Sequence, residues 1–267
     1  MPYRLVATDL DGTLLRTDNT VSRRSRDALA AVTAAGAAHI VVTGRSVPWT
    51  RHILDDLGYD GLAVCGQGSQ VYDAGAHRLL TSVTLDRRLA GLALAKIEAE
   101  VGPVAPAASR DGLTGEILIS EGYVYHPELP VIHIRDTAEL WAAPINKIYI
   151  QQPGGLDDDA LAEAARAVAG DLVGVTMAGK GIVELLPLGL TKATGLSLAA
   201  RRLGLTAADT IIAFGDMPND LPMFAWAAHT VAMANAHPDL KAVADEITAS
   251  NDEDGIAVTL ERIFTLS

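Results

Sequence analysis

Short apolar runs alternate with longer amphipathic segments over the first part of the chain. Three runs lack polar alternation and are typical of buried parallel strands: LVAT at 5–8, HIVV at 39–42 and LAVC at 62–65. The segments between them have helical spacing, with a capping serine at the start and a glycine at the end. Ser22 and Gly36 bound the first segment, and Ser46 and Gly58 bound the second. This pattern predicts a repeated unit of strand and helix.

The same alternation returns near the end of the chain. It comprises the helix TKATGLSLAARRLGL, the strand TIIAF, the helix PNDLPMFAWA, the strand TVAM and the helix DGIAVTLERIF. Two further strands, QVYD and RLLTSV, are predicted to be joined by a turn at Ala74-Gly75. Because strands that alternate with helices form parallel sheets, we predict an α/β fold with a doubly wound, Rossmann-like core sheet.

The pattern changes between residues 84 and 186. Four strands are predicted there, ILIS, VIHI, KIYIQ and LVGVTM, together with helices at about 87–101 and 156–169. Gly/Pro-rich joints, GPVAPAA and QQPGG, interrupt them. We therefore predict an inserted α+β domain at 84–186, and a catalytic core built from residues 1–83 and 187–267.

Charge and composition narrow the possible partners. The net charge of −12 over 267 residues, with no long Lys/Arg run, argues against nucleic-acid binding. The same acidity would repel a phosphorylated ligand, so its site would need cations of its own. The chain contains no apolar stretch of membrane-spanning length and enters its first strand at once, which leads us to expect a cytoplasmic protein. The single cysteine, Cys65, is expected to be a core residue.

Two aspartates end the first strand. Asp9 and Asp11 are separated by one residue, so strand geometry would project both to the same side with backbones about 6 to 7 Å apart. That spacing suits one shared ligand. Taken alone, the DLDG sequence equally predicts a turn at Asp11-Gly12 with Asp9 as a cap.

Polar residues also follow two other predicted strands. Thr43-Gly44-Arg45 offers a hydroxyl, an approachable backbone and a guanidinium, all suited to phosphate, although a plain loop before a helix has the same composition. The loop GDMPND adds Asp216, Asn219 and Asp220. Ligands of doubly wound sheets bind beyond the carboxyl ends of the strands. Four carboxylates gathered there would repel one another without a cation, which indicates Mg²⁺.

A lysine completes the predicted constellation. Lys192 follows Thr191, a predicted N-cap, and therefore lies in the first turn of a helix, where the helix dipole disfavours a cation. Such a lysine requires an anion nearby.

With these motifs in order, the sequence resembles the haloacid dehalogenase superfamily, and within it the Cof-type phosphatases with a large inserted cap. The matching motifs are DLDGT at 9–13, TGR at 43–45, Lys192 and GDMPND at 215–220, with weaker likeness at VAMANA and SNDEDGIA. The sequence departs from the family pattern at Gln67-Gly68, Ala193 and Ala234. The resemblance in sequence covers both parts of the core, whereas the cap resembles that of the family only in length and placement.

The resemblance implies roles for the motif residues. Asp9 would attack the substrate phosphorus and form an aspartyl-phosphate, while Asp11 would protonate the leaving oxygen and then activate water. Mg²⁺ would be held by Asp9, the Asp11 backbone carbonyl and Asp216, with Asp220 beside or behind it. The phosphoryl group would be bound by a further set of residues: Gly12, Thr43, Gly44, Arg45, Lys192 and Asn219.

The substrate is expected to be a small phosphorylated metabolite, with sugar phosphates the commonest class in the family, and the protein a monomer or small homo-oligomer. Five polar cap residues could reach it: Arg110, His126, His133, Lys147 and Lys180. His39, Trp141 and Tyr149 are expected to be structural. The alternatives to a phosphatase are a phosphotransferase or phosphomutase with the same intermediate, and a ligand-binding module without catalysis.

Overall fold

The computed structural model describes residues 3–125, 131–179, 181–205 and 210–265. The strands within these residues are β1 (Leu5–Thr8), β2 (Ala38–Val42), β3 (Leu62–Cys65), β4 (Gln70–Asp73), β5 (Arg78–Ser82), β6 (Ala105–Arg110), β7 (Ile117–Ile119), β8 (Val131–His133), β9 (Ile145–Gln151), β10 (Gly174–Gly179), β11 (Ile182–Leu186), β12 (Ile211–Gly215), β13 (His229–Ala232) and β14 (Glu246–Ile247). The helices are α1 (Arg23–Ala34), α2 (Val47–Leu57), α3 (Arg87–Val101), α4 (Asp158–Ala169), α5 (Lys192–Arg202), α6 (Leu221–Trp226), α7 (Pro238–Val243) and α8 (Gly255–Phe264). No helix among the described residues is both long enough and apolar enough to traverse a bilayer.

The larger sheet has the strand order β14-β13-β12-β1-β2-β3-β4-β5. Its strands pair in parallel from β14 to β3, and the hairpin of β4 and β5 adds two antiparallel strands at one edge. The predicted doubly wound sheet is therefore confirmed. Because β1 lies between β2 and β12, the polar residues that follow these three strands meet at one edge.

Capping residues define the helices beside this sheet. The Ser22 hydroxyl accepts a hydrogen bond from the Ser25 backbone N–H at 3.0 Å, and α2 ends at Gly58, which has a φ of +62°. Ser46 precedes α2 as predicted, but its hydroxyl makes no capping bond. The predicted helix PNDLPMFAWA is shorter, because Pro218–Asp220 form a separate 3₁₀ turn before α6.

The strands that lie between β5 and α5 in the chain form a second sheet with the order β10-β11-β9-β6-β7-β8. Helices α3 and α4 pack against each other and supply apolar side chains to a core separate from that of the larger sheet. The predicted joint at GPVAPAA, residues 102–108, is confirmed at 102–104, which connect α3 to β6. It was wrong from residue 105 onward, since Ala105–Arg110 is the central strand β6. Residues 105–109 are all buried, so the strand has no polar alternation, and its alanines and proline have low β propensity. Strand β11 was also not predicted from the sequence.

Candidate active site

The turn after β1 carries the first predicted site residue. The Asp9 backbone N–H donates to the Phe214 carbonyl at 3.0 Å, which fixes Asp9 beside the end of β12. The chain then reverses at Gly12, whose φ is +69°. A Cβ atom at Gly12 would lie 2.3 Å from Asp216 Oδ2, so only glycine lets the turn pass this close to Asp216.

Lys192 reaches this turn from the start of α5. The Thr191 side chain caps the helix by accepting from the Thr194 backbone N–H. Lys192 Nζ donates to Asp9 Oδ1 at 2.6 Å and to Asp220 Oδ1 at 2.7 Å. The lysine is 1% exposed, and it has the anionic partners that its place at a helix N-terminus requires.

A close approach of two backbones brings α5 into place. A Cβ atom at Gly195 would lie 2.7 Å from the Cα of Gly68, and one at Gly68 would lie 2.1 Å from the Thr191 carbonyl oxygen. Two glycines therefore allow the first turn of α5 to pack on the turn after β3. This packing sets the position of Lys192.

Three buried carboxylates form a cluster. Oxygens of Asp9, Asp216 and Asp220 lie within 4.8 Å of one another. Burial raises the pKa of Asp9 to about 7, an effect that the Lys192 charge opposes. Burial, followed by repulsion from Asp9, raises the pKa of Asp216 to about 9. Burial alone would lower the pKa of Lys192, but Asp220 and Asp9 raise it above its ordinary value. The single lysine thus leaves the cluster short of positive charge.

The cluster fits a divalent cation. When all three carboxylates are ionised, they and the one ammonium carry two net negative charges, which one divalent ion would neutralise. Hard oxygen ligands of this kind suit Mg²⁺. Both carboxylate oxygens of Asp220 already accept hydrogen bonds from the protein. Its Oδ1 accepts from Lys192, and its Oδ2 accepts from the backbone N–H groups of Asp216 and Met217. Asp9 and Asp216 are therefore the side chains best placed to bind a metal directly.

Asp11 has a different partner. Its carboxylate is bound by Arg45, whose Nη2 donates to Oδ1 at 2.5 Å and whose Nε donates to Oδ2 at 2.9 Å. The expectation that Asp9 and Asp11 project together from a strand was wrong, because β1 ends at Thr8 and Asp11 lies in the turn. The convergence of four carboxylate side chains therefore reduces to three. Arg45, predicted to bind phosphate, is an ion-pair partner of Asp11 in this structure.

The loop after β2 lies against residues from two other loops. The Arg45 backbone N–H donates to Thr43 Oγ1 at 3.0 Å. Gly44 is closely covered, since a Cβ atom there would lie 2.6 Å from Gln67 Nε2. Asn219 Nδ2 donates to Gln67 Oε1 at 3.1 Å. The structure thus brings together Gly44, Gln67 and Asn219.

Two asparagines that received no predicted role secure the turn after Asp11. Asn235 Nδ2 donates to the Gly12 carbonyl at 2.8 Å, and Asn251 Nδ2 donates to the Leu15 carbonyl at 2.9 Å. A cavity of about 430 Å³ lies between this turn and the two asparagines. Both belong to the stretches VAMANA and SNDEDGIA, which were the available sequence signal.

The polar residues that were predicted to reach the substrate differ in burial and in their partners. Lys147 is buried and forms an ion pair with Glu184, whereas Arg110 forms a more exposed pair with Glu116. His133 is exposed in β8, and His126 and Lys180 lie outside the described residues. His39 is buried, hydrogen bonds to Thr8, and has its pKa lowered to about 4 by burial, which agrees with a structural role. Three other residues predicted to be structural are at least partly buried: Cys65, Tyr149 and Trp141.

The family model of the haloacid dehalogenase-like hydrolases matches residues 6–260. The chain belongs to this family. It is 30% identical over 292 residues to the 5-amino-6-(5-phospho-D-ribitylamino)uracil phosphatase YwtE of Bacillus subtilis strain 168, covering 98% of both chains.

Solved structures show the same fold as this haloacid dehalogenase-like hydrolase. The structure of SMU.1108c from Streptococcus mutans UA159 superposes with a TM-score of 0.85 at 22% identity, over 98% of this chain and 99% of that one. The subclass IIB sugar phosphatase BT4131 superposes with a TM-score of 0.80 at 18% identity, over 98% and 100%. The predicted family is confirmed, and the chain is a phosphatase of that family.

Proposed function

We propose that this hydrolase is a Mg²⁺-dependent phosphomonoesterase that acts on a small phosphorylated metabolite through an aspartyl-phosphate on Asp9. The observation that carries the proposal is the buried Asp9 carboxylate, which a single lysine holds within a cluster of three aspartates. A nucleophile must be oriented, and its charge must be offset before it approaches a phosphate.

The chain's own residues would prepare Asp9 for attack. The bond from Lys192 Nζ to Asp9 Oδ1 holds the carboxylate in one orientation, and Oδ2 would form the bond to phosphorus while the bond to the leaving oxygen breaks. Asp9, the Asp11 backbone carbonyl and Asp216 would hold Mg²⁺, with Asp220 positioned behind by Lys192 and the backbone. When bound, the ion would supply the positive charge that lets a carboxylate approach a phosphate dianion.

Asp11 is proposed as the general acid and base. It would give a proton to the leaving oxygen, and then take one from the water that hydrolyses the aspartyl-phosphate. Both tasks require the carboxylate oxygens that Arg45 now occupies. We infer that Arg45 turns from Asp11 to a phosphoryl oxygen when substrate binds, because a guanidinium suits either anion.

The remaining donors surround the same position. Thr43 Oγ1 accepts from the Arg45 backbone N–H, so its own hydrogen is available to a phosphoryl oxygen. The backbone N–H groups of Gly12 and Gly44 and the ammonium of Lys192 would add further donors. Asn219 uses one amide hydrogen on Gln67, and the second would serve the phosphoryl group.

The leaving group is proposed to be a sugar or another polyhydroxylated chain bound under the cap. Two relatives support this class: YwtE is named for a substrate with a phosphorylated ribityl chain, and BT4131 is named as a sugar phosphatase. We place the cap at residues 84–186 and the core at 1–83 and 187–267, since the second sheet and its separate apolar core lie within the first range. Cytoplasmic residence and a monomer or small homo-oligomer stay predictions.

Phosphate release from a panel of phosphorylated metabolites, with Mg²⁺ and with a chelator, tests the proposal. We expect Mg²⁺-dependent release that Asp9→Asn abolishes and that Asp27→Asn, at an exposed aspartate of α1, leaves unchanged. Full activity in Asp9→Asn would contradict the assignment of the nucleophile. Transfer of phosphate to a second hydroxyl without release would indicate a phosphotransferase, and binding without turnover would indicate a ligand-binding module.

A further inference from the structure

A buried ion pair links the cap to the core. Lys147 in β9 and Glu184 in β11 are both about 1% exposed and lie on neighbouring strands of the cap sheet. Lys147 Nζ also donates to the backbone carbonyl of Gly44 at 2.6 Å, and Glu184 Oε2 accepts from Gln67 Nε2 at 2.6 Å. Each member of the pair therefore contacts a core loop as well as its partner.

The contact of Lys147 extends to Thr43 through one peptide group. The Gly44 carbonyl and the Arg45 N–H belong to the same rigid peptide plane. Lys147 binds the carbonyl end of that plane, and Thr43 Oγ1 accepts from the N–H end. A cap lysine thus fixes the peptide that orients the Thr43 hydroxyl.

The contact of Glu184 extends to Asn219 in the same manner. Glu184 accepts from the Gln67 amide, and the Gln67 carbonyl oxygen accepts from Asn219 Nδ2. The Asn219 Oδ1 atom is buried and has no hydrogen-bond partner among the described residues. The two charges of the pair therefore lead to two different residues of the proposed phosphate site.

Holding the cap closed does not explain this pair. Burying two charges costs desolvation energy, and well-packed apolar side chains of similar volume often give equal or greater stability. An apolar pair, however, could neither bind the Gly44 carbonyl nor orient the Gln67 amide. The distinctive property of the pair is its hydrogen bonding to the core loops.

We propose that Lys147 and Glu184 are positioning residues through which closure of the cap completes the phosphate-binding site of the core. With the cap closed, Lys147 holds the Gly44 peptide so that Thr43 presents its hydrogen, and Glu184 holds Gln67 so that Asn219 is fixed. With the cap open, both core loops lose these contacts. This inference rests on the proposed function, because it assumes that Thr43 and Asn219 bind the phosphoryl group.

The test measures inorganic phosphate binding, since phosphate has no leaving group for the cap to recognise. The K147M/E184Q double variant removes both charges together, because K147M alone would leave Glu184 as an unpaired buried charge. Its matched control is K96M/D171N, which removes an exposed Lys–Asp pair of the cap. Calorimetry in the presence of Mg²⁺ gives phosphate affinity, steady-state kinetics give kcat and KM, and urea unfolding verifies the fold.

We expect K147M/E184Q to bind phosphate about tenfold more weakly and to lose a similar factor in kcat, as the loss of a hydrogen bond to a charged group predicts. The control should match the wild type. Unchanged phosphate affinity together with a higher KM for the metabolite would overturn the inference, since the pair would then contact only the leaving group. If the double variant does not fold, Q67M replaces it, and unchanged phosphate binding in Q67M would equally overturn the inference.

The same experiment separates the two levels of proposal. A wild-type protein that neither binds phosphate nor hydrolyses any ester would refute the proposed function itself. A wild-type protein that does both, with a double variant that behaves identically, would refute only the positioning role of Lys147 and Glu184.

Discussion

Raising the pH in the absence of metal should destabilise this protein through its acidic cluster. The pKa of Asp216 is about 9 in the folded state and near 3.8 in the unfolded chain, and that of Asp9 rises from the same value to about 7. Between the unfolded and folded values, the native state binds more protons than the unfolded state. The free energy of unfolding therefore falls as pH rises through this window.

The size of the effect follows from proton linkage. Each additional proton bound by the native state lowers stability by about 1.4 kcal/mol per pH unit. For Asp216 alone, the loss between pH 5 and pH 8 is on the order of 4 kcal/mol. Buried His39 acts in the opposite direction below its unfolded value, because its folded pKa is about 4 and the unfolded chain then binds more protons. The contribution of His39 cancels when the wild type is compared with a variant that also contains His39.

Asp216→Asn is the matched variant, since an asparagine oxygen still accepts from Thr13 as Asp216 Oδ1 does at 3.2 Å. Urea unfolding of both proteins in chelator at pH 5, 6.5 and 8 gives the difference in stability. We expect the free energy of unfolding of the variant, relative to that of the wild type, to increase by about 4 kcal/mol from pH 5 to pH 8. Saturating Mg²⁺ should stabilise the wild type, and more so at pH 8 than at pH 5, because ligands must lose their protons to bind. A stability difference that does not change with pH would refute the argument.

Three further predictions test other parts of the site. Lys192→Met should abolish phosphate release, and normal turnover would contradict the role of the lysine. At pH 8 in chelator the same variant should lower the free energy of unfolding by about 3 to 5 kcal/mol, because it leaves Asp9 and Asp220 without their cation. Gly68→Ala should lower the free energy of urea unfolding by roughly 2 to 4 kcal/mol and reduce turnover, since Gly68 has a φ of +104° and the new Cβ would strike the Thr191 carbonyl. The control is Gly112→Ala, which is also at positive φ but has open space for a Cβ, so it should show only the cost of the backbone conformation. Arg45→Gln should raise KM about tenfold through the loss of a charged phosphate contact, and an unchanged KM would show that Arg45 serves Asp11 alone.

Local sequence information was sufficient for much of the fold. Apolar runs without alternation located β1, β2, β3 and β12, the Ser22 cap located the start of α1, and Gly58 located the end of α2, because burial and capping act on neighbouring residues. The same information failed at β6, where a strand buried along its length contains alanine and proline in place of β-branched residues. Strand formation there depends on β9 and β7 on either side.

The candidate site divides in the same way. The sequence alone determined that Asp9, Lys192 and Asp216 occur at strand ends or a helix start, and parallel topology then brings such positions to one edge of a sheet. The pairing of Asp11 with Arg45 and the hydrogen bond from Lys147 Nζ to the Gly44 carbonyl became visible only in the folded structure. Backbone periodicity fixes where a residue is along its own element, whereas the partner of a side chain depends on how distant elements pack. Residues 44 and 147 lie 103 positions apart, and no local pattern in the sequence relates them, because their contact forms only when two distant parts of the chain pack together.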